Sequence, residues 1–176
     1  MNLRGKRIVI MGLGLNGGGL LSAQFCLACG AEVLVTDLNP AAKLADSLAV
    51  LEDFACRVLP ARGDHSASAR LKFRLGSHEL QDFQRADWIV KNPGVPGDSP
   101  YLLAAKSWTT DLALFLEWYP QVPILAVTGT KGKSSISYAL HYILQQYWPQ
   151  AMLAGNIGCS PLSYALSLIL ADKGAS

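Results

Sequence analysis

Charge is scarce in this chain, and so are the residue types that build a chemical site unaided. Of 176 residues, 16% are charged, and 15 Lys and Arg against 13 Asp and Glu leave a formal net charge of +2. Such a balance offers no basic field for a nucleic acid to follow, so no nucleic-acid partner is expected. The four cysteines, Cys26, Cys29, Cys56 and Cys159, are too few and too scattered for a disulfide framework, and the other half of a four-cysteine zinc site is missing. Cys26 and Cys29 lie among Phe25, Leu27 and Ala28, where they read as small apolar packing residues and not as a redox pair. The three histidines, His65, His78 and His141, share no metal-ligand spacing and receive no role. No apolar run reaches the roughly 18 residues of a membrane span. Met1 to Lys6 leads straight into a strand, without a signal peptide. The expectation is a cytoplasmic globular protein without membrane insertion, with 51% apolar residues to bury.

What is abundant is glycine placed after apolar strands. The stretch Val127-Thr128-Gly129-Thr130-Lys131-Gly132-Lys133-Ser134-Ser135 follows the apolar run Ile124 to Val127, expected as a buried strand, and precedes an amphipathic helix over Ser135 to Gln146. Backbone N–H groups curled by two glycines at a helix N-terminus form an anion site. Lys133 adds positive charge, and the hydroxyl of Ser134 stands where such loops hold the Mg²⁺ that bridges nucleotide phosphates. The reading is an ATP-binding loop built from Gly129, Thr130, Lys131, Gly132, Lys133, Ser134 and Ser135. Its spacing is short, because the first glycine of a standard phosphate loop would fall at Val127.

A second signal opens the chain. Strand residues Arg7 to Met11 run into Gly12-Leu13-Gly14-Leu15-Asn16-Gly17, then a helix from Gly18 to Cys29, then a strand Glu32 to Thr36 ending at Asp37. This is a Rossmann-type half: Gly12 for the tight turn, Gly14 for close approach of a ligand, Gly17 for packing of helix on strand, and Asp37 as an acceptor for a ribose or base. The fingerprint by itself does not separate a dinucleotide from a nucleotide-sugar.

Between the two signals, Pro40 to Glu52 reads as a helix, and Arg57 to Leu59 and Leu71 to Leu75 as short strands. Asp87 to Lys91 is a clearer strand that stops at the rigid loop Asn92-Pro93-Gly94-Val95-Pro96-Gly97. In a parallel sheet this loop faces the same side as Gly12 to Gly17. Helices are expected over Pro100 to Lys106 and Asp111 to Tyr119, a short strand over Ala151 to Ala154, a turn at Gly155-Asn156-Ile157-Gly158 and a last helix from Pro161. The fold class is α/β. A Rossmann-like parallel-sheet domain (1–108) is followed by an incomplete phosphate-loop α/β unit (109–176), which has too few strands to bury its own apolar surface.

The order of these motifs resembles the Mur ligases of peptidoglycan synthesis over nearly the whole chain. Gly12 to Gly17 looks like the family's opening loop, Asn92-Pro93-Gly94-Val95 like its second loop, Gly129 to Ser135 like its ATP loop, and Gly155-Asn156-Ile157-Gly158 like its Gly-Asn-Ile-Gly turn. The short phosphate loop is the form that the family shares with folylpolyglutamate synthases, which the opening Rossmann-like unit argues against. The resemblance implies a UDP-N-acetylmuramoyl-L-alanine substrate. Leu15, Asn16, Asp37 and Leu38 would lie at its uracil-ribose end, Asn92, Pro93 and Gly94 at the diphosphate, and Gly14 and Asn156 on the substrate. It also implies ATP and Mg²⁺ at Lys133, Ser134 and Ser135, and glutamate as the amine that displaces phosphate from an acyl phosphate. The family's acidic Mg²⁺ ligand, bridging histidine, carbamylated lysine and amino-acid-binding domain would all fall beyond Ser176. The chain is therefore expected to bind nucleotide, to need the remainder of the ligase for catalysis, and to expose an unfinished sheet edge.

Two other classes stay open. An NAD-dependent oxidoreductase fits residues 1 to about 100 but leaves Gly129 to Ser135 and Gly155 to Gly158 without a task. The other is a non-catalytic nucleotide-binding or interaction module.

Overall fold

The computed structural model describes residues 2–14, 18–155 and 157–172, and within it five strands form one parallel sheet in the order β3-β2-β1-β4-β5. These are β1 (Arg7–Met11), β2 (Glu32–Asp37), β3 (Leu71–Leu75), β4 (Trp88–Lys91) and β5 (Trp108–Thr109). The apolar β-branched runs of β1, β2 and β4 suit strands covered on both faces. Ile8 and Ile10 enter one core while Val9 and Met11 enter the other, the two-residue alternation of a strand. In register, Ile10 lies opposite Val35 on one side and Val90 on the other.

Seven α-helices lie among the described residues: α1 (Gly18–Ala28), α2 (Ala45–Asp53), α3 (Leu80–Arg85), α4 (Pro100–Leu103), α5 (Asp111–Trp118), α6 (Lys133–Tyr147) and α7 (Leu162–Asp172). The larger core joins α1, α2, α5 and α7 to one face of the sheet through Phe25, Leu27, Leu51, Leu114, Phe115, Leu162, Ala165 and Leu166. Burying a side chain such as Phe25 contributes about 2–3 kcal/mol. On the other face α3 and α4 supply Phe83 and Leu102, with Ala86 just after α3. Arg70 fixes the C-terminal end of α1 by donating to the carbonyls of Leu27 at 3.2 Å and Ala31 at 2.7 Å while paired with Asp64. A cation at that end also complements the helix dipole.

Four expectations need correction. Residues 57–59 are not a strand. Phe54–Val58 forms a π-helical turn continuing α2, and Leu51, Phe54, Ala55 and Leu59 are buried at helical and not alternating spacing. The run Ile124 to Val127 carries no strand, and Ile124 and Leu125 are 48% and 68% exposed. A strand needs a ladder partner for its N–H and C=O groups, and among the described residues none lies beside this run. Ala151 to Ala154 is likewise reduced to one parallel bridge, Ala154 to Cys159. The helix expected over Pro40 to Glu52 is broken into a 3₁₀ turn, Ala41–Lys43, and α2.

Trp108, placed at the domain boundary from the sequence, pairs with Ile89 in the edge strand β5. Downstream, α6 buries none of its residues, whereas α7 returns to the first core. No described helix is long and apolar enough to cross a membrane.

Candidate functional site

Strand order reverses between β1 and β4, and in an open parallel sheet the crevice past the strand ends at that point is where ligands bind. The glycine loop after β1 and the Asn92 loop after β4 meet there. Asn92 donates its N–H to Met11 O at 3.0 Å, and its side chain lies across the glycines. A Cβ at Gly14 would sit 2.8 Å from Asn92 Nδ2, and one at Gly12 would sit 3.2 Å from Asn92 Cβ. The loop closes on itself through Gly94 N–H to Asn92 Oδ1 at 3.2 Å and Lys91 Nζ to Val95 O at 2.9 Å. Pro93 and Asn92 line a narrow cleft with Gly18, Gly19, Ser22, Lys91 and Asp111.

Leu15, Asn16 and Gly17 lie outside the described residues, as does Asn156. The close packing of helix on strand that the fingerprint assigns to Gly17 is seen at Gly19, where a Cβ would stand 2.1 Å from Gly12 O. Asp37 is 6% exposed. Its Oδ2 accepts from Leu13 N at 2.9 Å and Gly14 N at 3.3 Å, and its Oδ1 from Asn39 N at 2.8 Å and Asn39 Nδ2 at 2.9 Å. A carboxylate has about four lone-pair positions. All of them meet protein donors, so Asp37 holds the glycine loop against the end of β2, and Leu38 beside it is 65% exposed.

His78 belongs to the same rim, which its sequence context did not reveal. Its Nδ1 is 2.7 Å from the hydroxyl of the fully buried Thr36, and its ring stands edge-on to Phe83 and Tyr101. Burial holds its pKa below the ordinary histidine value, against the opposing pull of the Asp37 carboxylate. In the sequence Asp111 marks only the start of a helix, and nothing in a single acidic residue signals the wall of a cleft formed with the Asn92 loop.

The loop expected to bind phosphate, Gly129 to Ser135, forms a separate group. Gly132 takes φ +76° as the N-cap of α6, and no side chain caps the helix. Lys133, Ser134 and Ser135 are exposed in its first turn, and Lys133 Nζ donates to Gly129 O at 2.5 Å. Thr130 and Lys131 are also exposed. Uncapped first-turn N–H groups with an adjacent ammonium and two hydroxyls suit an anion and its cation. No hydrogen bond or ion pair among the described residues joins this loop to the cleft, and no described cluster of three His, Cys, Asp or Glu could hold a metal. A cavity of about 340 Å³ lies at the opposite ends of the strands, lined by Arg7, Glu32, Lys72 and Arg85 and by no residue of either glycine loop.

Fold and site together define an α/β protein with an open, Rossmann-like parallel sheet and a second glycine-rich loop that opens a helix after it. No protein-family model matches the chain. It is 42% identical over 162 residues to a UDP-N-acetylmuramoylalanine–D-glutamate ligase of Borreliella burgdorferi (strain ZS7), covering 92% of this chain and 33% of that one. The ligase of the same name from Treponema pallidum (strain Nichols) is 42% identical over 167 residues, covering 92% of this chain and 29% of its own. The chain thus matches the N-terminal part of these Mur ligases and spans about a third of their length. Among solved structures, a pseudomurein peptide ligase type C from Methanothermus fervidus covers 81% of this chain and 26% of its own at 22% identity, with a TM-score of 0.42.

Proposed function

We propose that these residues supply the UDP-substrate-binding domain (1–108) and the phosphate loop, at the start of a central ATP-binding domain (109–176), of an ATP-dependent ligase of peptidoglycan synthesis. The observation that carries this reading is the Asn92 side chain laid across Gly12 and Gly14 at the switch point of the sheet. The diphosphate of UDP-N-acetylmuramoyl-L-alanine sits in that crevice, facing Asn92, Pro93, Gly94 and the N-terminus of α1, with Asn156 reaching it from the later turn. Leu15, Asn16 and Leu38 meet the uracil-ribose end, and Asp37 acts on it by holding the loop. A nicotinamide dinucleotide is disfavoured, because the lone pairs of Asp37 that would bind an adenosine ribose are already taken.

In the proposed reaction the γ-phosphoryl of ATP passes to the muramoyl-alanine carboxylate, giving ADP and an acyl phosphate. The amine of glutamate then forms the amide as inorganic phosphate leaves. That the glutamate is the D enantiomer is taken from the names of the relatives. Lys133 and the first-turn N–H groups of α6 bind the ATP phosphates and neutralise their charge, and Ser134 with Ser135 offers oxygens to Mg²⁺. When bound, Mg²⁺ withdraws charge from the β- and γ-phosphate oxygens. Calorimetric titration with Mg-ATP tests the loop. Wild type binds, Lys133→Ala loses roughly ten-fold or more in affinity, and UDP affinity is the same in both. Equal Mg-ATP binding by the two proteins would refute the assignment.

A further inference from the structure

Asp111 stands at a junction. It opens α5, lines the cleft opposite Gly18, Gly19 and Asn92, and is linked to residue 160 across 49 positions of sequence. Its Oδ2 accepts from the Ser160 hydroxyl at 2.9 Å, and its Oδ1 from Leu112 N at 2.8 Å. Ser160 Oγ also accepts from Leu162 N at 3.3 Å, so one hydroxyl both caps the first turn of α7 and contacts the cleft wall. Downstream, Leu162, Ala165 and Leu166 lie in the same core as Phe25 of α1 and Phe115 of α5. Upstream, the segment is closed by Cys159 N–H to Leu153 O at 3.2 Å and Gly155 N–H to Cys159 O at 3.1 Å. Ser160 therefore sits between two fixed bodies.

A carboxylate in the wall of a cleft meant for phosphate is an electrostatic liability, since two like charges a few ångströms apart repel by kilocalories even at a protein-surface dielectric. We propose that Ser160 is a positioning residue that holds the Asp111 carboxylate in the cleft wall on the side of α7, instead of turned into the cleft, so that phosphate binding and the seating of α7 support each other. The inference rests on the diphosphate site proposed above. Its physical content is a differential interaction: the ligand favours the arrangement with Asp111 held by Ser160 over the one with Asp111 turned inward.

The test is calorimetric titration of the 176-residue protein with UDP and with uridine, for wild type, Ser160→Ala, Ser160→Thr and the double variant Ser160→Ala/Asp111→Asn. Ser160→Ala is expected to weaken UDP roughly ten-fold and to leave uridine unchanged. Ser160→Thr keeps the hydroxyl and restores UDP binding, and so does the double variant, in which the inward charge is gone. A purely structural role would weaken uridine and UDP together and would not be rescued by Asp111→Asn; either result overturns the pair, as does UDP binding that Ser160→Ala leaves untouched. If wild type binds neither ligand, the nucleotide-sugar reading falls and takes the coupling with it. A wild type that binds UDP while the variants show no coupling overturns the pair alone.

Discussion

Gly19 offers a sharp perturbation, because its neighbour provides an internal control. A Cβ at Gly19 would lie 2.1 Å from Gly12 O and 2.8 Å from both Leu13 Cα and Leu13 O, all backbone atoms of the loop that leaves β1. Side-chain repacking cannot relieve such contacts, so Gly19→Ala must lift the start of α1 off the strand. Overpacking of this kind costs about 1–3 kcal/mol, and the upper half of that range applies where the obstacle is backbone. With a urea m-value of roughly 2 kcal/mol/M, the midpoint falls by about 1–1.5 M. At Gly18 the same methyl would meet, among the described residues, only Asn92 Nδ2, at 3.8 Å. There Ala replaces Gly within a helix, which changes stability by about 0.5–1 kcal/mol in the favourable direction. Urea unfolding of the two variants beside wild type decides the matter. A Gly19→Ala protein as stable as wild type, or a Gly18→Ala protein as damaged as Gly19→Ala, would refute the packing of α1 on the loop.

Asp37→Ala leaves the N–H groups of Leu13 and Gly14 without their acceptor in a buried loop, so a loss of roughly 2–3 kcal/mol is expected in thermal or urea unfolding; a loss below half a kilocalorie would contradict its loop-holding role. His78 is held below its ordinary pKa of 6.5 by burial, so the unfolded chain takes up the proton first. Its contribution to stability therefore falls as pH drops below about 6.5 and levels off once the folded form is protonated as well, and His78→Asn should flatten that slope in unfolding curves between pH 7 and 5. Leu166→Ala should cost about 2–4 kcal/mol if α7 is part of the first core, and an unchanged midpoint would show that α7 is not docked on α1.

The strand-turn-helix at the start was legible in the sequence because every signal is local. A β-branched run, glycines and an apolar helix lie within thirty residues, and the structure places β1, α1 and β2 at those positions. The Asn92 loop was legible for the same reason, since two prolines and two glycines leave the backbone few choices. Residues 124–127 were misread because strand formation is a property of a pair, and apolar β-branched composition does not reveal whether a neighbour is present. Residues 54–59 misled in the opposite sense. Their burial at positions 51, 54, 55 and 59 has helical spacing, but Arg57 and Val58 within that window suggested a short strand. The parts of the site that sequence reasoning missed, His78 on Thr36 and Ser160 on Asp111, are contacts across 42 and 49 residues. No local pattern encodes such pairs, whose partners are chosen only when the sheet order and the return of α7 are fixed.

The central claim is that the crevice between the Gly12 and Asn92 loops takes a uridine diphosphate. Equilibrium titration of the protein with UDP and, separately, with NAD⁺ tests it most directly. Saturable one-to-one binding of UDP that Asn92→Ala weakens, with no binding of NAD⁺, is the result expected; NAD⁺ binding at this crevice, or UDP binding indifferent to Asn92, would contradict it.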